Sequence, residues 1–336
     1  MSKICQGFVG AIGNTPLIEI ASLSAATGCQ ILGKAEFLNP GGSVKDRAAL
    51  YMVQAAVQSG QLSPGGTIVE GTAGNTGIGL ALVANAQGYR CVIVMPSNQS
   101  QEKIDLLVTL GAEVELVPPV AFANPNHFYH RAKARSLELE NAFWADQFEN
   151  VANSDAHYHT TAREIWLQTE GKIDGIVMSS GTGGTIGGVT AYLKQQDPAI
   201  QAYLIDPPGS GLYNYVTQGE FKAEGSSITE GIGINRKTAN FARAQLDGAF
   251  FGSDRATIEM AHYLLKHDGL FLGSSAALNV VGAVMLARKL GPGHRIVTIL
   301  CDGGSRYQSR MFNREWLIAK DLLPQATGLE FLDIDQ

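Results

Sequence analysis

Thr67-Ile68-Val69-Glu70-Gly71-Thr72-Ala73-Gly74-Asn75-Thr76-Gly77 reads as a strand, a tight polar turn and the start of a helix. Thr67 to Glu70 is a short apolar run with β-branched members, and Gly77 to Gln87 continues at helical period. A turn between a strand and a helix start aims backbone N–H groups at one point, and Thr72, Asn75 and Thr76 add polar side chains beside them. That combination suits a carboxylate or a cofactor oxygen. A plain helix cap, with Asn75 or Thr76 as N-cap, is compatible with the same residues.

The strand-to-helix pattern repeats on both sides. Cys91 to Met95 precedes Gln101 to Leu110, and Val114 to Val117 precedes Tyr129 to Leu139. A second set runs from Gly175 to Met178 into a helix ending near Gln195. It continues with Ala202 to Ile205, helices at Ala256 to His267 and Ala276 to Leu290, and Ile296 to Leu300. Such alternation gives parallel, doubly wound sheets, so the chain is expected to be α/β with two sheet-bearing domains. The polar stretch between Asp146 and Asn153, before a helix starting about Asp155, marks the boundary.

Composition fits a soluble enzyme. The 336 residues include 39 glycines, as expected of many strand-to-helix turns, and a net charge of −6 offers no basic field for nucleic acid or anionic lipid. No apolar run approaches a membrane-spanning length, and no secretory leader is read at the amino terminus. Cys5, Cys29, Cys91 and Cys301 lack C-x-x-C spacing, which points to a reducing cytoplasm. The pairs His127/His130 and His157/His159 lack a third ligand at metal spacing; they read as solvated helix histidines, and no metal site is expected.

Two further stretches carry chemistry. Asn39-Pro40-Gly41-Gly42-Ser43-Val44-Lys45-Asp46-Arg47 is a turn that ends in a lysine at the first turn of a helix-patterned run. The positive end of the helix dipole disfavours an ammonium there, which suits an amine that must form a Schiff base with a carbonyl cofactor. Ser179-Ser180-Gly181-Thr182-Gly183-Gly184-Thr185 follows a strand and opens a helix, which makes a phosphate cradle. The spacing of Gly181, Gly183 and Gly187 is one residue off the dinucleotide fingerprint. With Asp206 ending a later strand, a nicotinamide enzyme stays open as an alternative. Around Ser274, in Leu272-Gly273-Ser274-Ser275, a serine cap is the plain reading.

Taken in order, Asn14-Thr15-Pro16-Leu17, Pro40 to Arg47, Thr72 to Gly77, Gln147-Phe148, Gly181 to Thr185 and Gly273 to Ser275 resemble the cysteine synthase and cystathionine β-synthase family. These are fold-type-II pyridoxal 5′-phosphate enzymes. The resemblance spans about residues 8 to 312. It implies two domains with twisted, mainly parallel sheets flanked by helices, like the tryptophan synthase β-subunit. Residues 1–40 and 150–336 would form the larger, phosphate-binding domain, and 41–149 the smaller, mobile, substrate-binding one.

For the site, the resemblance implies that Lys45 carries the cofactor and is the catalytic residue. Gly181, Thr182, Gly183, Gly184 and Thr185 would bind its phosphate, Asn75 its 3′-oxygen, and Ser274 its ring nitrogen. Thr72, Ala73, Gly74, Asn75, Thr76 and Gln147, with Gly231, would bind the amino-acid substrate. Ala73 stands where the synthases usually have serine, which removes a polar contact worth about 1 kcal/mol. After the family's Gly231-Ile232-Gly233, the pair Asn235-Arg236 departs from the usual apolar residues.

The implied reaction is β-replacement through an α-aminoacrylate, making L-cysteine from O-acetylserine, or a similar activated serine, and sulfide. A neutral serine at the ring nitrogen weakens the electron sink and favours prompt loss of the leaving group. A homodimer, and serine acetyltransferase as a further partner, are also implied. Release of sulfide from cysteine is the nearest alternative. A dehydrogenase, which leaves Lys45 without a purpose, and a non-catalytic scaffold stand further off.

Overall fold

The computed structural model describes residues 4–99 and 101–333. Ten strands occur among them, in chain order: β1 (Leu17–Glu19), β2 (Gln30–Ala35), β3 (Thr67–Gly71), β4 (Arg90–Pro96), β5 (Glu113–Val117), β6 (Ala142–Trp144), β7 (Gly175–Met178), β8 (Gln201–Asp206), β9 (Gly248–Phe251) and β10 (Arg295–Leu300). They form a four-stranded sheet, ordered β5-β4-β3-β6, and a six-stranded sheet, ordered β1-β2-β10-β7-β8-β9. All pairs are parallel except β1 with β2. The expected α/β class with mainly parallel sheets is the class observed.

The chain divides into two compact units, Met1–Gly13 with Asn39–Ala156, and Asn14–Leu38 with His157–Gln336. The sequence reading drew the lines at 40/41 and 149/150, so segments 1–13 and 150–156, with residues 39–40, change sides. Their apolar residues explain this. Phe8, Val9, Ile12 and Ala152 pack on the core of the smaller unit, which contains Ala48, Met52, Ile68, Leu80, Ile93 and Met95.

In the smaller unit β3 is central. All of its five residues are buried, and its carboxyl end delivers the Thr72–Gly74 turn to the helix Asn75–Gln87. The larger unit is built around the helix Ser274–Leu290, nearly every residue of which is buried, as its apolar and small composition dictates. Its strand β7, also wholly buried, ends at Met178 and delivers the Ser179–Gly183 turn to the helix Gly184–Gln196. Each anion-loop candidate thus leaves the carboxyl end of an interior parallel strand, where open α/β sheets place ligands.

Candidate active site

In the smaller unit, Lys45 is the first residue of the helix Lys45–Gln58 and is partly buried. Its backbone N–H donates to Ser43 Oγ at 3.2 Å. The turn before it is clamped by the next residue: the buried Asp46 carboxylate accepts from the Gly41 N–H at 2.6 Å. A Cβ on Gly41 would fall 2.5 Å from Asp46 Oδ1, so glycine is required there by close approach. A carboxylate in a first helical turn is also favourably placed against the dipole.

The substrate-loop candidates share that unit. Gly74, extended at φ −140°, is the N-cap of the helix Asn75–Gln87, and no side chain caps it. Asn75 and Thr76, the alternative caps, are not the N-cap: both lie inside the first turn. Thr72 Oγ1 accepts from the Gly74 N–H at 3.2 Å and Ala73 leans on the core. Thr76 Oγ1 donates to Gln147 Oε1 at 2.6 Å, which brings together residues 71 positions apart. Gln147, buried, is held further: its Nε2 donates to Glu70 Oε1 at 3.1 Å, and its backbone carbonyl accepts from Asn153 Nδ2 at 2.8 Å.

In the larger unit, the turn after β7 is shaped by backbone crowding. Gly183 has φ +87°, and a Cβ on it would lie 2.3 Å from the Phe241 nitrogen. A Cβ on Gly181 would lie 2.1 Å from the Gly231 carbonyl oxygen, so the backbone at Gly231 passes close to this turn. Thr182 Oγ1 accepts from the Gly184 N–H at 3.3 Å, and the Thr182 carbonyl accepts from Thr238 Oγ1 at 2.8 Å. At the entrance to the turn, the buried hydroxyls of Ser179 and Ser180 have no hydrogen-bond partner among the described residues. Asn279 Oδ1 accepts from the Ser179 N–H at 2.6 Å and fixes where the turn begins.

This turn fits an anionic group. It opens a 13-residue helix, it contains the left-handed glycine such a cradle needs, and it holds two buried hydroxyls that the protein itself leaves unpaired.

Ser274 is the first residue of the helix Ser274–Leu290 and Gly273 its N-cap, so the expected serine cap is corrected. Instead, Ser274 Oγ accepts from the Glu230 N–H at 3.3 Å, while Glu230 Oε1 pairs with Arg310 at 2.5 Å. Asn235 is held by the turn ahead of it, donating from Nδ2 to the Gly209 carbonyl at 3.3 Å.

Two features escaped the sequence reading. His157 was expected to be solvated, yet it is 1% exposed. Its Nδ1 lies 2.9 Å from Thr161 Oγ1 and its Nε2 lies 3.3 Å from Thr185 Oγ1, which ties a wide π-helical turn to the cradle. The signal was present in the spacing, since His157 and Thr161 are four apart and both buried, but only tertiary packing distinguishes that from a solvated pair. The second is Glu70, wholly buried at the end of β3. Burial, aided by the charge of Asp146, pushes its carboxyl up to about 8 from an ordinary 4.5.

Asp206, the acid of the nicotinamide alternative, is engaged locally through one of its oxygens. It is buried, and its Oδ2 accepts from the Tyr213 N–H at 2.7 Å at the start of the helix Leu212–Gln218. Burial pushes its carboxyl up to about 6.

Residues 9–302 match the family model described as pyridoxal-phosphate dependent enzyme, and the chain belongs to that family. It is thus a pyridoxal 5′-phosphate enzyme. Among curated relatives, a cysteine synthase of Dictyostelium discoideum is 54% identical over 326 residues, covering 94% of this chain and 86% of that protein. Among solved structures, an O-acetylserine dependent cystathionine β-synthase from Helicobacter pylori has TM-score 0.83 and 33% identity, covering 92% of this chain and 99% of that one. A hydrogen sulfide-producing enzyme from Fusobacterium nucleatum also has TM-score 0.83, with 30% identity and coverage of 91% and 99%.

Proposed function

We propose that the protein makes L-cysteine by β-replacement, exchanging the β-substituent of O-acetylserine, or a similar activated serine, for sulfide. The observation that carries this reading is the 54% identity with a cysteine synthase along 94% of the chain. When bound, pyridoxal phosphate supplies an electron sink that acidifies the substrate's Cα–H and loosens its β-substituent.

The protein's residues divide the remaining work. Lys45 would supply the amine that holds the cofactor and would be the base that takes the substrate's Cα proton. The N–H groups of Gly181, Gly183 and Gly184 and the hydroxyls of Thr182 and Thr185 hold the phosphate, with Thr185 oriented by His157. Asn75 would serve the ring oxygen, and Ser274 would be a neutral partner for the ring nitrogen. Thr72, Ala73, Gly74, Asn75, Thr76 and Gln147 would hold the substrate carboxylate, at a helix start that favours an anion, and Gly231 is assigned to the substrate as well. Ala73 offers no hydroxyl, so this loop relies on one polar side chain fewer than a serine-bearing loop.

Sulfide release from cysteine is the second reading, favoured by the hydrogen sulfide-producing enzyme of the same fold. Purified protein is expected to convert O-acetylserine and sulfide to cysteine and acetate faster than it releases sulfide from cysteine. Lys45→Ala should lower turnover at least about 100-fold, the scale of a positioned acid–base group. Dominant sulfide release with negligible cysteine would reverse the two readings, and unchanged turnover in Lys45→Ala would remove Lys45 from the mechanism. The same reading makes the enzyme a cytoplasmic homodimer, open to serine acetyltransferase as a partner. Among the described residues, no helix is long and apolar enough to cross a membrane.

A further inference from the structure

We infer that Glu70 is a positioning residue for the amino-acid substrate: its buried carboxyl fixes the Gln147 amide and, through Gln147, the Thr76 hydroxyl, holding the Thr72–Thr76 loop in shape for a carboxylate. This rests on the reading that the loop and Gln147 bind the substrate carboxylate. The geometry is a relay within one unit. Glu70 Oε1 accepts from Gln147 Nε2 at 3.1 Å, the same Nε2 lies 3.4 Å from the Gly71 carbonyl, and Gln147 Oε1 accepts from Thr76 Oγ1 at 2.6 Å. Both ends of the amide are therefore assigned. The relay joins the end of a central strand to the first turn of the helix that follows the loop.

A carboxyl group is an unusual choice for this task. Glutamine or a backbone carbonyl would accept the same hydrogen bond, and a wholly buried carboxyl is costly when ionised. Among the described residues Glu70 Oε2 has no hydrogen-bond partner and no cation pairs with the carboxyl; the Gln147 amide and the backbone at Asp146 and Gln147 favour a negative charge there, and burial outweighs them. The titratable groups that face it are Asp146, just after β6, and the Cys91 thiol on β4. Tyr129, on the helix Phe128–Glu138, donates to Asp146 Oδ1 at 3.0 Å and completes the surroundings. None of these adds a positive charge. With its carboxyl pushed up to about 8, Glu70 is neutral at pH 7 and serves as an acceptor that brings no charge toward an anion-binding loop. Ionisation keeps the hydrogen bond but adds a negative charge behind the loop, and a like charge weakens carboxylate binding.

The test compares the wild-type holoenzyme with Glu70→Gln and Glu70→Ala at pH 7 and pH 9, measuring O-acetylserine KM, kcat, and O-acetylserine binding by tryptophan fluorescence. Glu70→Ala unseats the amide and should raise KM about tenfold with kcat changed less than about threefold, the loss expected for a buried donor left short of a partner. Glu70→Gln keeps a neutral acceptor. It should hold KM near wild type at pH 7 and, unlike wild type, lose no affinity to Glu70 ionisation by pH 9. Infrared titration should show a protonated carboxyl band in wild type that fades around pH 8 and is missing from Glu70→Gln. Unchanged KM in Glu70→Ala, or the same alkaline loss in wild type and Glu70→Gln, overturns the inference while the functional reading stands; should Glu70→Ala not fold, the Glu70→Gln comparison alone decides. A wild type that neither binds O-acetylserine nor makes cysteine overturns the reading beneath it.

Discussion

Single residues in this chain are used for what they can do only where they sit. Glu70 would pass for an ordinary solvated glutamate from its sequence, because Val69 before it and Gly71 after it do not reveal that the strand end is sealed. Burial converts it into an acid pushed up to about 8. The sign of the consequence for stability follows from proton linkage. An acid whose folded pKa exceeds its ordinary value of 4.5 contributes stability that is complete below pH 4.5 and is lost as pH rises toward 8, because the folded state then holds a proton that the unfolded state has released. Glu70→Gln removes that loss. Its thermal midpoint relative to wild type should therefore rise between pH 5 and pH 8, by about 5 °C or more for a chain of this size. A difference that stays flat across that range would mean that Glu70 is ionised in the fold.

At the scale of elements, what was legible and what was not have different physical causes. The strand, turn and helix around Thr72 and the one around Gly181 were readable because each is contiguous and each carries local punctuation. Strand β2 was missed. It contains Gly33 and Lys34, residues that argue against a buried strand, yet a Cβ on Gly33 would lie 2.6 Å from the Leu300 side chain, and Lys34 is wholly buried against Glu164 at 2.7 Å. Its parallel neighbour β10 lies some 260 residues later, so no local pattern could reveal the pairing. The cap positions were hidden for a related reason: glycines at 74 and 273 take them, ahead of Asn75 and Ser274.

The turn at Gly183 supplies the element-scale prediction. Gly183→Ala combines a left-handed backbone with a Cβ 2.3 Å from the Phe241 nitrogen, so the cradle has to move. It should weaken pyridoxal phosphate binding at least about tenfold, since a shift of the N–H groups loses more than one hydrogen bond to the phosphate. Gly219→Ala is the control. It has φ +82° and nothing within 4 Å of its Cβ, so it should cost about 1 kcal/mol of stability and leave cofactor affinity unchanged. Equal cofactor affinity in both variants would show that the close approach at Gly183 does not shape the cradle.

For the whole molecule, the class of fold and the two anion loops came from alternation and glycine placement, whereas the extent of the two units did not. Segments 1–13 and 150–156 join the smaller unit through a handful of apolar side chains whose partners lie far along the chain. The residues proposed for the activity come from both units: Lys45 and the Thr72 loop from one, the Gly181 cradle and Ser274 from the other. What unites them in this account is a single covalent attachment. Borohydride reduction of the holoenzyme, followed by proteolysis and peptide mass spectrometry, reads that attachment directly. The account predicts one phosphopyridoxyl group, on Lys45, in the peptide that contains Gly41 to Asp46. A phosphopyridoxyl group on another lysine, or none on Lys45 in a preparation that turns over substrate, would contradict it.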